Sequence, residues 1–152
     1  MGILDLFVSE EEAGKPEYMV GRRPLDLPFG AGQALYNLHP GISHEHIIRN
    51  DGRKNFGFGK EGEFTEQPSV LGKYDVAQKY GTKRYDAATL EQARQNWHAK
   101  NDAMDQIADE MGLWDEGMPR SVYGEYSLGL NNCQDYVRWI IDEYERVKRQ
   151  GL

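Results

Sequence analysis

The chain has a single cysteine among 152 residues, which excludes an intramolecular disulfide and removes any need for an oxidising compartment. It lacks a basic excess: 18 Lys and Arg against 25 Asp and Glu give a net charge of −7. That balance excludes a nucleic-acid partner held by phosphate contacts and disfavours docking on an anionic membrane. No run reaches the 18 or so apolar residues that a spanning helix needs. The opening MGILDLFVSEEEAG has no basic stretch before its short apolar one. The chain is therefore expected to be cytoplasmic as synthesised, with action elsewhere requiring delivery. Repeats and low-complexity tracts are also missing.

What remains is the composition of an ordinary globular protein, 39% hydrophobic and 28% charged. Its length suits one domain with a real core, residues 1–152, with 1–17 a flexible or peripheral N-terminal segment. Tyr18 to Val20 begins like a strand, and Pro24 and Pro28 end it. GAGQALYNLHPG lacks the strand-to-helix context of a phosphate loop and reads as a turn-rich lead-in. GISHEHIIRNDGRKNFGFGKEG reads as a hairpin around Asn50-Asp51-Gly52. Residues 60–85 look irregular, with one short element near Val76 to Tyr80.

DAATLEQARQNWHAKNDAMDQIADEMGLW is a helix by its periodicity. Thr89 and Gln92 fit a capping box, and Leu90, Ala93, Trp97, Met104, Ile107 and Met111 form one stripe that Gly112 ends. A second helix is expected from Cys133 to about Lys148, capped by Asn131 or Asn132, with Val137, Ile140, Ile141, Tyr144 and Val147 facing inward. The fold class is α+β.

A lone thiol more often packs than reacts. Cys133, however, falls in the first turn of its helix, where exposed N–H groups favour a thiolate and could hold an oxyanion. It lies on the inward stripe, four residues before Val137. Among the histidines, His39 precedes Pro40 in a turn and His98 sits beside the helical stripe. His44 and His46 share one strand face with Ile48, while Glu45 and Ile47 face away. If Asp51-Gly52 closes a two-residue turn, Ile48 lies opposite Asn55, His46 opposite Gly57 and His44 opposite Gly59. The glycines would then leave room for a helix end or a substrate backbone. A metal set of His44, His46 and Cys133 lacks a fourth ligand and ranks behind catalysis. No cofactor or metal is expected.

The segments GRRPLD, HEHIIRNDGRKNFGFGKEG and YSLGLNNCQDYV together resemble the circularly permuted papain-like cysteine hydrolases. That group includes NlpC-type cell-wall peptidases, PPPDE and LRAT-like enzymes, and domains associated with bacterial Rhs and type VI secretion toxins. The resemblance runs from about Tyr18 to Tyr144. It implies a small antiparallel sheet packed on the Cys-bearing helix, with the long helix as an addition. It makes Cys133 the nucleophile and His44 the base and acid. Asn55 is the orienting residue by position, with His46 and Glu45 as rivals. Asn132, Gln134 and His46 would line the substrate or oxyanion site. The implied reaction is amide hydrolysis, possible substrates being peptidoglycan stem peptides for a secreted effector with an immunity protein or secretion-system partner. Isopeptide cleavage, acyl transfer and a non-catalytic binding module are the alternatives.

Overall fold

Strand β1 (Glu17–Arg23) stops where Pro24 removes a backbone donor, and it is an inner strand of an antiparallel sheet. A computed structural model describes residues 2–9, 14–38, 42–59, 62–77, 79–112 and 133–151. The chain divides into two compact units, one of residues 1–57 with 65–87, the other of 58–64 with 88–152. Its class is α+β, as expected.

In the first unit β2 (His44–Arg49) pairs antiparallel with β1 on one side and with β3 (Asn55–Gly59) on the other. The connecting turn is not the two-residue loop expected. Arg49 N–H bonds the Lys54 carbonyl and Gly52 N–H bonds the Arg49 carbonyl, each at 2.8 Å, leaving four residues in the loop. Gly52 sits at φ +72°, a left-handed position that glycine takes without strain. The Asp51 carboxylate accepts from Arg53 N–H at 3.0 Å. One extra residue on each side of the midpoint keeps the parity, so Ile48 still faces Asn55 and His46 still faces Gly57.

GAGQALYNLHPG, expected to be a turn-rich lead-in, instead holds a helix of eight residues, α1 (Ala31–Leu38). Its glycine serves packing rather than turning: a Cβ on Gly32 would fall 1.8 Å from the Leu25 carbonyl oxygen. The N-terminal segment, expected to be peripheral, also contributes to the core. Ile3 is fully buried with Met19, Ile48, Leu71 and Tyr74, and Leu6, Phe7 and Val70 pack against them. Two short strands, β5 (Asp75–Val76) and β6 (Tyr85–Asp86), pair with opposite ends of β1. Before β5, a 3-10 turn over Pro68–Lys73 leads into Tyr74.

In the second unit the end of β3 continues toward β4 (Gly62–Phe64). Helix α2 (Ala87–Glu110) starts three residues earlier than a cap at Thr89 would allow, so Thr89 lies inside its first turn. Only the N-terminal half of its stripe is buried: Leu90, Ala93 and Trp97 are inside, whereas Ile107 is 49% and Met111 66% exposed. Gly112, at φ +64°, ends the helix. Helix α3 (Cys133–Arg149) buries the expected face of Val137, Ile140, Ile141, Tyr144 and Val147. Its acidic first turn and basic last turn complement the helix dipole. Phe58 stacks on Tyr136, with ring centroids 5.6 Å apart, and Trp97 meets both rings edge-on. Beside them the Glu63 carboxylate accepts from the Tyr136 hydroxyl and Arg94. The caps expected at Asn131 or Asn132 lie outside the described residues.

Candidate functional site

The alternation of β2 sends His44, His46 and Ile48 to one face of the first unit's sheet and Glu45 and Ile47 to the other. Register adds neighbours to the histidine face. Arg23 lies opposite His44, Gly21 opposite His46 and Met19 opposite Ile48. On the other side Gly57 lies opposite His46, and Asn55 opposite Ile48. His46 therefore has a glycine on each neighbouring strand.

Both glycines are required by what lies above them. A Cβ on Gly57 would fall 2.2 Å from His46 Nδ1, so the imidazole leans across the place of the missing side chain. A Cβ on Gly21 would meet Ile3 Cδ1 at 2.8 Å and Tyr74 Cδ1 at 3.1 Å. The Tyr74 ring thus slides over β1, with its centroid 5.6 Å from that of His46 and 6.2 Å from that of His44. The space next to Gly57, expected to admit a helix end or a substrate, is filled by a histidine of the same sheet.

The polar groups on this face form one chain. Asn55 is pinned by the backbone of Glu66: its Nδ2 donates to the Glu66 carbonyl at 3.2 Å, and its Oδ1 accepts from Glu66 N–H at 2.7 Å. That match fixes which amide atom is oxygen. Oδ1 also lies 2.7 Å from His46 Nε2, so Nε2 must carry the proton. In neutral His46, Nδ1 is then the acceptor. It lies 3.2 Å from His44 Nε2, which must donate. The tautomers of both rings follow, and Nδ1 is the basic nitrogen of His44.

A charged group anchors the far end. Glu66 Oε1 accepts from Arg23 at 2.9 Å and from the Tyr74 hydroxyl at 3.2 Å, while Arg23 Nε donates to the same hydroxyl at 3.2 Å. The Arg23–Glu66 ion pair is almost entirely buried. Arg23 also donates to the Pro24 carbonyl at 2.9 Å.

Burial sets the electrostatics. His46 is 0% and His44 5% exposed. Desolvation pushes the His44 pKa down to about 2, helped by the adjacent His46 and Arg23. Desolvation also lowers His46, to about 4, against the hydrogen bond it donates to Asn55 and the Glu66 charge, which favour protonation. Burial likewise pushes the Tyr74 hydroxyl above its ordinary value. Both imidazoles are neutral at physiological pH.

The structure thus brings His44, His46 and Asn55 together, but in series. Asn55 holds His46, and His46 holds His44. His46, expected at the substrate, is fully buried behind His44. Glu45 faces the opposite side of the sheet, where Arg22 is its cross-strand partner. Cys133 and Gln134 belong to the second unit. Cys133 is the first residue of α3, buried on the same face as Tyr136 and Val137, and Gln134 beside it is half-buried. Asn132 and His39 lie outside the described residues.

Arg23, Glu66 and Tyr74 were missed by sequence reasoning. Arg23 becomes visible once β1 is aligned with β2, since the register puts it opposite His44. Glu66 and Tyr74 lie in a stretch with no periodicity to reveal them. No family model matches the chain, and no curated protein or solved structure matches it either.

Proposed function

We propose that this chain is a cysteine-dependent amide hydrolase of the permuted papain-like type, with Cys133 as nucleophile and His44 as its base. The observation that supports it most is the His44–His46–Asn55 series, which holds one tautomer and keeps Nδ1 as the basic nitrogen of His44. A triad needs its orienting residue for that purpose. The pairing of Cys133 with His44 rests on the order of the two motifs in the chain.

In this reading Nδ1 of His44 takes the thiol proton as sulfur attacks the amide carbonyl. The N–H groups at the start of α3 donate to the oxyanion, and the protonated His44 returns its proton to the leaving amine. Water then resolves the thioester. Because desolvation keeps His44 neutral, its pKa near 2, the resting pair is thiol and imidazole rather than thiolate and imidazolium. Peptidoglycan stem peptides are the proposed substrate and isopeptides the competing one. An effector of this kind requires delivery and an immunity partner. An amine or alcohol in place of water would give acyl transfer from the same thioester.

The test is mass spectrometry of peptidoglycan fragments and of isopeptide-linked protein after incubation with wild type and variants. Cys133→Ala and His44→Ala should each lower kcat/KM by about 10³-fold or more. Hydrolysis that survives Cys133→Ala overturns the proposal. The full burial of His46 favours a second reading, in which the polar series only holds a binding module together. Alkylation separates the two. A nucleophile assisted by His44 is alkylated by iodoacetamide more slowly in His44→Ala than in wild type, whereas a packing cysteine reacts alike in both.

A further inference from the structure

We propose that His44, His46 and Glu66 form a binding site for one divalent transition-metal ion of the zinc class. The inference stands on the first unit alone and does not rest on the hydrolase reading. Each of the three buried residues offers a ligand atom, and these atoms lie within 4.8 Å of one another.

Spacing is the first argument. His44 Nε2 and His46 Nδ1 are 3.2 Å apart. Two imidazole nitrogens on a tetrahedral zinc, each at about 2.0–2.1 Å, are about 3.4 Å from one another. The two rings therefore already hold their nitrogens at the edge length of a coordination tetrahedron.

The surroundings are the second argument. A ligating histidine commonly donates its other ring N–H to an oxygen that fixes the ring and its tautomer. His46 meets that condition through Nε2 and Asn55 Oδ1 at 2.7 Å, which leaves Nδ1 as its ligand nitrogen. The carboxylate is similarly divided. Arg23 and Tyr74 both bond Oε1 of Glu66, and among the described residues Oε2 accepts no hydrogen bond. An ion draws Oε2 inward to close the span, and water takes the fourth position, as in zinc sites with three protein ligands. Arg23 offsets the carboxylate charge, so the affinity falls below that of a thiolate site.

Binding changes one ring. In the absence of an ion, His44 Nε2 carries the proton donated to His46. Coordination through Nε2 transfers that proton to Nδ1 of the same ring, with no net proton released. His44 then has no basic nitrogen left, so an ion and the base role proposed above exclude one another.

The full chain titrated with Zn²⁺ by calorimetry and with Co²⁺ by absorption, with no substrate present, tests the site. One ion per chain is expected, with tetrahedral d–d bands and no thiolate-to-cobalt charge-transfer band. His46→Gln and Glu66→Gln should each weaken binding at least about tenfold, and Asn55→Ala by about 10–100-fold because the His46 ring loses the oxygen that orients it. Cys133→Ser should leave binding unchanged. The wild type provides a readout that needs no variant to fold: its Tm should rise with Zn²⁺ and return with a chelator. Absence of saturable binding or of a Tm rise overturns the proposal. So does binding that survives both His46→Gln and Glu66→Gln, or a site lost in Cys133→Ser.

Discussion

The two units bury their interiors by opposite means. The second follows the usual rule: α2 and α3 turn Leu90, Ala93, Val137, Ile140 and Val147 inward, and at the margin Tyr136, stacked on Phe58, shares the Glu63 carboxylate with Arg94. The first places Arg23, His44, His46, Asn55 and Glu66 inside one sheet face, beside Ile3, Met19, Ile48, Leu71 and Tyr74. Buried polar groups are costly unless every partner is present. A cluster so connected, with two imidazoles held neutral, is the part of the molecule whose chemistry exceeds what packing needs. The contrast teaches where to look, and it makes the stability of the first unit depend on pH while that of an apolar core does not.

Acid should break the contrast with the largest effect. In the folded state desolvation lowers His44 to about 2 and His46 to about 4, against 6.5 for the ordinary ring. Below pH 6.5 the unfolded chain therefore binds protons that the folded chain refuses, and stability falls with pH. The contribution is fully present above 6.5, is lost for His46 as pH falls to about 4, and continues to fall for His44 toward about 2. Two such rings give a slope of at most about 2.7 kcal/mol per pH unit. Urea unfolding at several pH values between 7 and 4 measures it. A slope near zero, or one unchanged in the double variant His44→Gln with His46→Gln, contradicts the buried neutral pair.

Removing one end of the anchoring ion pair comes next. Glu66→Ala leaves Arg23 buried beside the Tyr74 hydroxyl with no carboxylate and is expected to cost about 3–5 kcal/mol. Glu66→Gln keeps an oxygen for Arg23 and should cost less. Equal losses in the two variants would mean that shape, not charge, decides the position. The same measurement on Trp97→Ala, expected at about 3–5 kcal/mol from lost packing, gives the apolar reference for the second unit.

Much of this contrast was legible in the sequence where the physics is local. Alternation in SHEHII put the histidines on one face, Asn50-Asp51-Gly52 fixed the hairpin, and the three- and four-residue steps after Cys133 gave the buried face of α3. The register survived an incorrect turn because a four-residue loop has the same parity as a two-residue one. Local reasoning failed where a residue's role is set from afar. Gly32 was read as a turn signal, but it makes room for the Leu25 carbonyl beneath a helix. Ile3 sits in a segment expected to be flexible or peripheral, yet it is buried in the core. Glu66 and Tyr74 carry no pattern, and their importance comes from Arg23, more than 40 residues away. Asn55 was singled out for the right face, yet its partner is His46 rather than His44.

Two glycines on β3 sharpen the comparison with the smallest effect. Gly57 belongs to the first unit and Gly59 to the second, and strand geometry puts them on one face. An alanine at either position should gain slightly from the reduced freedom of the unfolded chain, by about 0.5–1 kcal/mol. Sterics then separate them. At Gly57 the new Cβ falls 2.2 Å from Nδ1 of His46, whose two ring nitrogens are tied to His44 and to Asn55, so the ring must leave its place. At Gly59 the nearest atom is Phe64 Cε1 at 3.2 Å, and a ring at that distance can give by a few tenths of an ångström. Gly57→Ala should therefore destabilise by about 1–3 kcal/mol, the usual cost of overpacking, while Gly59→Ala stays within about 0.5 kcal/mol of wild type. Displacing His46 also breaks the hydrogen bonds that hold both tautomers. Histidine ring resonances followed by NMR should then titrate nearer the ordinary value in Gly57→Ala and stay as in wild type in Gly59→Ala. If both variants leave stability and titration alone, the His46 ring does not occupy the space over Gly57, and the series from Asn55 to His44 loses its middle member.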